Sequence, residues 1–406
     1  HHRTYLESNM NLTNSILRVD VAIIGGGIAG LWMLSRLRKR GYSALLIESE
    51  ALGAGQTICS QGIIHGGVKY SLNGRLTEAA QMISEMPALW RRCLNGEGEI
   101  DLRGSLLVEH QYLLATRSPR SWLTGFLASK MLPDRLQKLA GVEANDYPPA
   151  LRQAAFEGTV YRLDEPIVDV ASVLASFAER HREAIVLCDG PAAPSGDGAI
   201  TLRYPNHPML AIRPSCTIFA AGAGNSAVPW APLQQRPLHM VLVRGLGLPG
   251  PMYGHFVNSS DVPRLTITTH CDANGHLLWY LGGELAESGV KRDRQEQIRV
   301  ARRELAALLP SVDWSKIQFA TFTVKRAESR QDGGSRPVGP SVSRDGRTLA
   351  VWPTKLALAP LLAEQVENTL RKLDLKPKPV DLRILDEWPR PAVATYPWDR
   401  EDLIWS

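Results

Sequence analysis

Three glycines and one acid carry the most specific chemistry in this chain. Gly25, Gly27 and Gly30 stand at the spacing GxGxxG, and Glu48 follows Gly25 by 23 positions (48 − 25). Gly25 permits a tight turn, Gly27 lets the backbone come close to a pyrophosphate, and Gly30 lets a helix lie against a strand because it has no Cβ. Ile28 and Ala29 then open a helix whose N-terminus faces the phosphates. Glu48 stands where a carboxylate accepts ribose hydroxyls and repels a 2′-phosphate. Together these residues grip a dinucleotide. A second set is cationic. Arg326 and Arg336 each offer a planar fork that can hold a carboxylate or phosphate bidentately, or can serve as a surface ion-pair partner. Lys355 opens the last helix, where a cation opposes the dipole and calls for an anionic neighbour. Imidazole as a group titrates near neutral pH, so a histidine at 239 can accept a proton, orient a substrate, or simply pack in its strand.

The elements that must position these groups are legible around them. Val19 to Ile24 form the near-continuous β-branched run of a strand buried on both faces. Ile28, Leu31, Trp32, Leu34 and Leu37 make one apolar helical stripe, and Arg38, Lys39 and Arg40 complement the helix end before Gly41 stops it. Leu45, Leu46 and Ile47 form the next strand. Beyond Glu48 the chain does not start another βα unit but runs SEALGAGQTICSQGIIHGGVKY over 49–70. Gly53, Gly55, Gly62, Gly66 and Gly67, interleaved with Thr57 and Ser60, describe a small-residue path along which backbone amides can approach a long ligand. A flavin dinucleotide has that length. The path residues assigned to it are Ser49, Gln56, Thr57, Ser60, Gln61, Gly62, Ile63 and His65. Pro191, Ala221, Gly222, Thr354, Lys355 and Leu356, at turns after later strands, are assigned to the same cofactor. Cys59 lies on the path as a small buried hydrophobe or as a point of covalent attachment, and FAD is expected to be non-covalent.

The rest of the chain reads as an excursion and a return. Residues 76–93 have helical periodicity, and 98–150 mix short pieces with turn signals. Residues 168–182 read as a helix and 184–188 as a strand, restoring the βα rhythm. The stretch 216–226 is an apolar strand opening into small residues; a second GxGxxA at 222–227 is followed by Pro229 and Pro232, which argue against a second nucleotide helix. From 236 to 285 successive antiparallel strands are expected, with loops at GPMYGH and DANG. One amphipathic helix covers 293–309, and 349–373 is a strand, a turn and a long helix. The fold class is α/β: a Rossmann-like, glutathione reductase-type FAD domain (10–85, 151–228 and 336–406) interleaved with a substrate domain (86–150 and 229–335) on a large mixed, mainly antiparallel sheet.

At 406 residues with 44% hydrophobic and 21% charged residues, the chain has room for two domains of ordinary globular composition. Residues 1–9, ahead of Met10, are set aside as an added remnant, and no signal peptide is expected after Met10. The net charge of +5 is modest, and its densest cluster, at 36–40, suits a helix end, which argues against nucleic-acid partners. No apolar run is long enough to span a bilayer. Five scattered cysteines without a CxxC or a metal-ligand spacing suggest reduced thiols in the cytoplasm and no metal site. A monomer is expected. The stretch 121–132 is either core or an amphipathic contact with the inner face of a membrane.

GGGIAG with Glu48, IIHGGVKY at 63–70, RPLHMVLV around His239 and PTKLALAPLLAEQ entering the last helix together resemble the glycine oxidase / D-amino acid oxidase superfamily, with a particular likeness to FAD-dependent glycerol-3-phosphate dehydrogenase. The resemblance implies that His239 matches an active-site histidine, that Lys69 and Tyr70 line the substrate pocket, and that Lys355 matches the dehydrogenase lysine. There are departures. No counterpart of the extra C-terminal helical domain of that dehydrogenase is expected, Pro353-Thr354 replace glycines before the last helix, and the GLRP of glycine oxidase reads Val324-Lys325-Arg326-Ala327.

Flavin oxidation of an amine or alcohol needs the substrate carbon held against flavin N5, a proton sink, and a positive field for the reduced flavin. Lys355 suits the last need, His239 the proton, and Arg326, with Arg336 in reserve, an anionic group of the substrate; Tyr253 and His255 are placed to close the pocket. The expected function is oxidation of a C–N or C–O bond of a small anionic molecule (amino acid, hydroxy acid or polyol phosphate) by hydride transfer to FAD, with O2 or a quinone or other carrier as acceptor. Two other readings stay open: a flavin sensor or structural flavoprotein without turnover, and a nicotinamide-linked flavoprotein reductase.

Overall fold

The computed structural model describes residues 15–66, 78–116, 136–138, 144–257 and 262–406; Gly67, Lys69, Tyr70, the stretch 121–132, and Met10 with the residues before it lie outside the described residues. The first strand, Ser15–Ile24, is buried from Val19 onward and therefore needs a partner on each edge. It pairs in parallel with Ala44–Glu48 on one side and Leu210–Phe219 on the other. Ile185–Leu187 extends the sheet in parallel beyond Ala44–Glu48, and Thr348–Trp352 does so beyond Leu210–Phe219. Two antiparallel strands, Ser341–Asp345 at the far edge and Ile200–Leu202 against the start of Leu210–Phe219, complete seven. Ile24, Glu48, Phe219 and Trp352 thus end at one edge of the sheet, the place where α/β folds bind nucleotides. The helix Ile28–Lys39 lies against this sheet and packs on the last helix, Ala359–Lys372. Between them the buried Glu367 carboxylate receives Arg36 at 2.6 Å, Arg40 at 3.0 Å, and Arg371. The basic helix end therefore meets a carboxylate as well as the dipole.

The second sheet has eight strands, in the order Gln318–Ser329, Leu233–Arg244, Leu277–Gly282, Leu265–Cys271, Gly254–Phe256, Gln111–Thr116, Gly158–Leu163 and Leu136–Lys138. All neighbours are antiparallel except Gly254–Phe256 with Gln111–Thr116, so the sheet is mixed and mainly antiparallel. Strict alternation gives it two unlike faces. Met240, Leu242, Tyr280, Ala320 and Val324 join the core of the nucleotide domain, whereas Val241, Val243, Trp279, Leu281 and Phe319 pack with Ile298, Ala301, Leu305 and Leu308 of the helix Arg294–Leu308. One face looks at the nucleotide domain and the other at that helix.

Three expectations of organisation change. The segment Gly158–Leu163, assigned above to the nucleotide domain, is a strand of the second sheet because it pairs along Gln111–Thr116. The GPMYGH loop ends in the short strand Gly254–Phe256, drawn in by its parallel partner. The helical periodicity of 76–93 resolves into Glu78–Ser84 and Met86–Leu94, with Pro87 in the first turn of the second helix.

Two buried histidines make stability depend on pH. Burial pushes His270 down to about 4, and burial followed by the nearby Arg38 charge does the same to His181. His181 shares a 2.9 Å hydrogen bond with Ser35 Oγ, and His270 stacks on Trp398 at 4.5 Å. Both rings stay neutral when folded but take up protons at about 6.5 when unfolded. Their contribution is present above pH ~6.5 and is lost as pH falls toward 4, by roughly 3 kcal/mol per ring. Urea unfolding at pH 7.0 and 4.5 is expected to show this loss, and His181→Gln to remove part of it. An undiminished pH slope in the variant would acquit His181.

Candidate active site

At the edge where the parallel strands end, the glycine turn is built as its spacing requires. Gly25 has φ +114°, and a Cβ there would fall 2.5 Å from Ala220 O; a Cβ on Gly30 would fall 2.0 Å from Gly25 O. At Gly27, among the described residues, the only atom within 4 Å of such a Cβ is Thr57 Oγ1 at 3.2 Å, so the backbone there is open to a ligand. Gly27 also caps the helix with extended backbone, no side-chain cap and no acid in the first turn, which leaves N–H groups and the positive dipole end for an anion. Ile28 N donates to Thr57 Oγ1 at 3.2 Å. Glu48 braces the turn: its carboxylate accepts from Gly26 N at 2.6 Å and from Ser49 N and Glu50 N at 2.8 and 2.9 Å. A carboxylate has about four acceptor directions, so capacity for a ribose hydroxyl remains.

Two further loops meet this turn. Ala221 N donates to Asn225 Oδ1 at 2.9 Å, and Asn225 Nδ2 donates to Phe219 O and Val351 O, both at 3.2 Å. The fully buried Asn225 thereby ties the Ala221-Gly222 loop to the strand that delivers Thr354, Lys355 and Leu356. Thr354 has φ +66°, donates to Gly339 O at 2.8 Å, and turns the chain so that Lys355 caps the short 3-10 turn Leu356–Leu358 ahead of the last helix. Pro191 is exposed just beyond Ile185–Leu187, whose end pairs with Glu48.

The small-residue path is hydrogen-bonded to the second sheet and to the short strand Ile167–Val168. Gln56 Oε1 accepts from Ala327 N at 2.9 Å, Gln61 Nε2 donates to Tyr280 O at 2.8 Å, and Tyr280 OH donates to Cys59 O at 2.6 Å. A Cβ on Gly282 would meet Gln61 Oε1 at 2.7 Å, so a glycine there leaves room for Gln61. Gly62 (φ +72°) exchanges its side-chain space for the 2.9 Å bond between its carbonyl and Val168 N, and Ile63 bridges to Ile167. Ser60 Oγ is buried with no hydrogen-bond partner among the described residues. An orphaned hydroxyl on the path, a helix N-terminus with no acid in its first turn and an open glycine fit a bound dinucleotide. Burial raises the Cys59 thiol, while Arg400 pulls it down less, so Cys59 is a poor nucleophile for covalent attachment.

The inner face of the second sheet closes this path. His255 shares a 2.8 Å hydrogen bond with Thr266 Oγ1, and its ring lies 6.0 Å from that of His65. Behind His65 is a buried carboxylate, Glu165: Oε1 accepts from Gly66 N at 2.6 Å, Oε2 accepts from Gln111 Nε2 at 3.1 Å, and His65 Nδ1 is 3.6 Å from Oε2. Arg326, on the same face, donates from Nε to Arg236 O at 3.1 Å and lies beside the Gln56 contact. Tyr253 is half-buried, and burial pushes its phenol up to about 12, so it stays protonated.

His239 is not brought into this group. It shares the parity of Val241 and Val243, which face the helix Arg294–Leu308, and its Nδ1 bonds Gly289 O at 2.9 Å. The structure corrects the expectation to a packed strand histidine. Arg336 is exposed, while Arg326 is half-buried, which favours Arg326 as the clamp. Sequence reasoning missed Glu165, Gln111, Asn225, Thr266, Tyr280 and Arg236. Of these only Asn225, in a small-residue turn after an apolar strand, carried a local signal.

Comparison with known proteins gives the family and the fold. Residues 20–353 match the family model described as FAD dependent oxidoreductase (DAO). A probable FAD-dependent oxidoreductase, PA4991, of Pseudomonas aeruginosa is 42% identical over 399 residues, covering 94% of this chain and 98% of that protein. Its crystal structure superposes with a TM-score of 0.77 over 95% of this chain and 98% of its own, at 38% identity. Glycine oxidase from Geobacillus kaustophilus (TM-score 0.58, 20% identity, 90% of this chain and 97% of that one) shares the fold. So does L-alpha-glycerophosphate oxidase from Mycoplasma pneumoniae, solved with FAD bound (TM-score 0.60, 12% identity, 95% and 98%).

Proposed function

Because the chain belongs to the DAO family of FAD-dependent oxidoreductases, we propose that it oxidises a C–N or C–O bond of a small anionic molecule in the cleft between the flavin path and the inner face of the second sheet. Bound FAD would supply the two-electron acceptor for this oxidation. The observation that carries the reading is the half-buried Arg326 on that inner face, adjoining Gln56 of the path. Its fork holds the carboxylate or phosphate of the substrate. His65, braced by Glu165 and facing His255, takes the substrate proton; Lys69 and Tyr70, outside the described residues, are assigned to the substrate pocket on the resemblance alone. Lys355 supplies positive charge at the turn before the last helix. The fold is shared with a glycine oxidase and a glycerophosphate oxidase, whose named substrates carry a carboxylate or a phosphate group, which supports a substrate with such an anionic group. O2 or an electron carrier reoxidises the enzyme in this reading, which works as a monomer in the cytoplasm. Five free cysteines support a reducing compartment.

The test is anaerobic bleaching of the purified yellow protein by amino acids, N-methyl amino acids, hydroxy acids and polyol phosphates. Reduction by one anionic class is expected; a flavin that none of them reduces would favour a sensor or structural role. Two variants extend it. His65→Gln is expected to slow reduction about 100-fold through loss of the proton acceptor while FAD stays bound. Lys355→Met is expected to lower the flavin midpoint potential, because the lost charge favoured the anionic reduced form. A redox titration giving a potential at or above wild type removes Lys355 from that role.

A further inference from the structure

Arg236 and Arg326 stand directly opposite each other on neighbouring antiparallel strands, a register that sets two positive side chains against one another. One atom lies between them. Glu287 Oε1 is 3.9 Å from Arg236 Nη2 and 3.6 Å from Arg326 Nη2. Both separations exceed the ~2.7–2.9 Å of a charge-assisted hydrogen bond. The second carboxylate, Glu328, is different: it is buried, accepts from Gln234 Nε2 at 2.9 Å and lies 3.6 Å from Arg236 Nη1. Glu328 is anchored and Glu287 is not. Glu287 rides on the short helix Glu284–Ser288 with its side chain 29% exposed. Arg236 Nη1 is buried with no hydrogen-bond partner among the described residues, so the pair has donor capacity that Glu287 leaves unused. Arg326 is brought down to about 10, first by burial and then by the charge of Arg336, which marks a surplus of positive charge.

We propose that Arg236 and Arg326 together form an oxyanion site, and that Glu287 occupies it as an internal stand-in which the anionic group of the substrate displaces. This rests on the reading of the cleft as a substrate site and makes it more specific: the clamp is two guanidiniums, not one, and every anion that binds must compete with Glu287. Removing that competitor therefore strengthens anion binding. Removing Arg236 weakens it even though Arg326 remains.

The experiment is calorimetric titration of the FAD-loaded protein with sulfate and with acetate, comparing wild type, Glu287→Gln and Arg236→Met, each checked for FAD content and melting temperature. Glu287→Gln is expected to bind at least one of the two anions about tenfold more tightly, and Arg236→Met about tenfold more weakly. A gain confined to sulfate assigns the site to a phosphate ester, and one confined to acetate assigns it to a carboxylate. Binding of both anions unchanged in Glu287→Gln, or unchanged in Arg236→Met, overturns the proposal. Turnover is not read, so a flavin that no metabolite reduces would defeat the oxidoreductase reading and leave this result standing.

Discussion

Gly30→Ala is expected to give a protein that purifies without FAD. Alanine is a better helix former than glycine by about 1 kcal/mol, which taken alone would stabilise the helix. Geometry opposes it. The new Cβ would lie 2.0 Å from the carbonyl oxygen of Gly25, a backbone atom in the tight turn itself. Either the helix withdraws from the strand or the turn opens, and both misdirect the N–H groups that meet the pyrophosphate. Overpacking of this kind costs roughly 1–3 kcal/mol and sometimes more, and here the strain falls on the ligand cradle. Gly196→Ala, where a Cβ would meet nothing within 4 Å, is the control and is expected to keep its FAD. Visible absorption of the purified proteins decides it: a fully yellow Gly30→Ala protein would mean that close approach of helix and strand is not required.

Arg326→Lys is expected to lower kcat/KM for the anionic substrate about 100-fold while FAD content stays at the wild-type level. An ammonium keeps the charge but loses the planar fork, and a substrate held loosely against N5 loses rate steeply. FAD should remain because Arg326 bonds Arg236 O and faces Glu287, remote in role from the glycine turn and Glu48. Arg336→Lys serves as the comparison, since Arg336 is exposed. If the loss appears there and Arg326→Lys is silent, the clamp belongs to Arg336; if both are silent, a neutral amine or alcohol becomes the better substrate class.

The parts of this site that could be read in advance are those made by near neighbours in the chain. Gly25, Gly27, Gly30 and Glu48 belong to one strand, turn, helix and strand, so spacing alone specifies how they meet. The path from Gln56 to His65 was legible for the same reason. His239 shows the limit. Its residue type and surroundings suited catalysis, but which way it faces depends on parity within a sheet whose two faces are told apart only by what packs on them. Glu165 reaches His65, and Gln111 reaches Glu165, through a register set by distant strands. Arg236 stands opposite Arg326 across 90 residues of sequence, and neither position carries a local sign of the other.

The interleaving of the two sheets also governs how the molecule can be made. Ser15–Ile24 emerges early, yet one of its edges has no partner until Leu210–Phe219 has been synthesised. At ~5–20 residues per second that wait is roughly 10–40 s, during which a strongly apolar strand edge is open to wrong pairing. Thr348–Trp352, which extends the sheet beyond Leu210–Phe219, arrives later still. The clearest unit in the chain is thus completed only 328 residues after Ile24 (352 − 24), at Trp352, and until then its open strand edge favours wrong pairing. No cut of the gene between residues 48 and 210 would yield two fragments that each own a whole sheet.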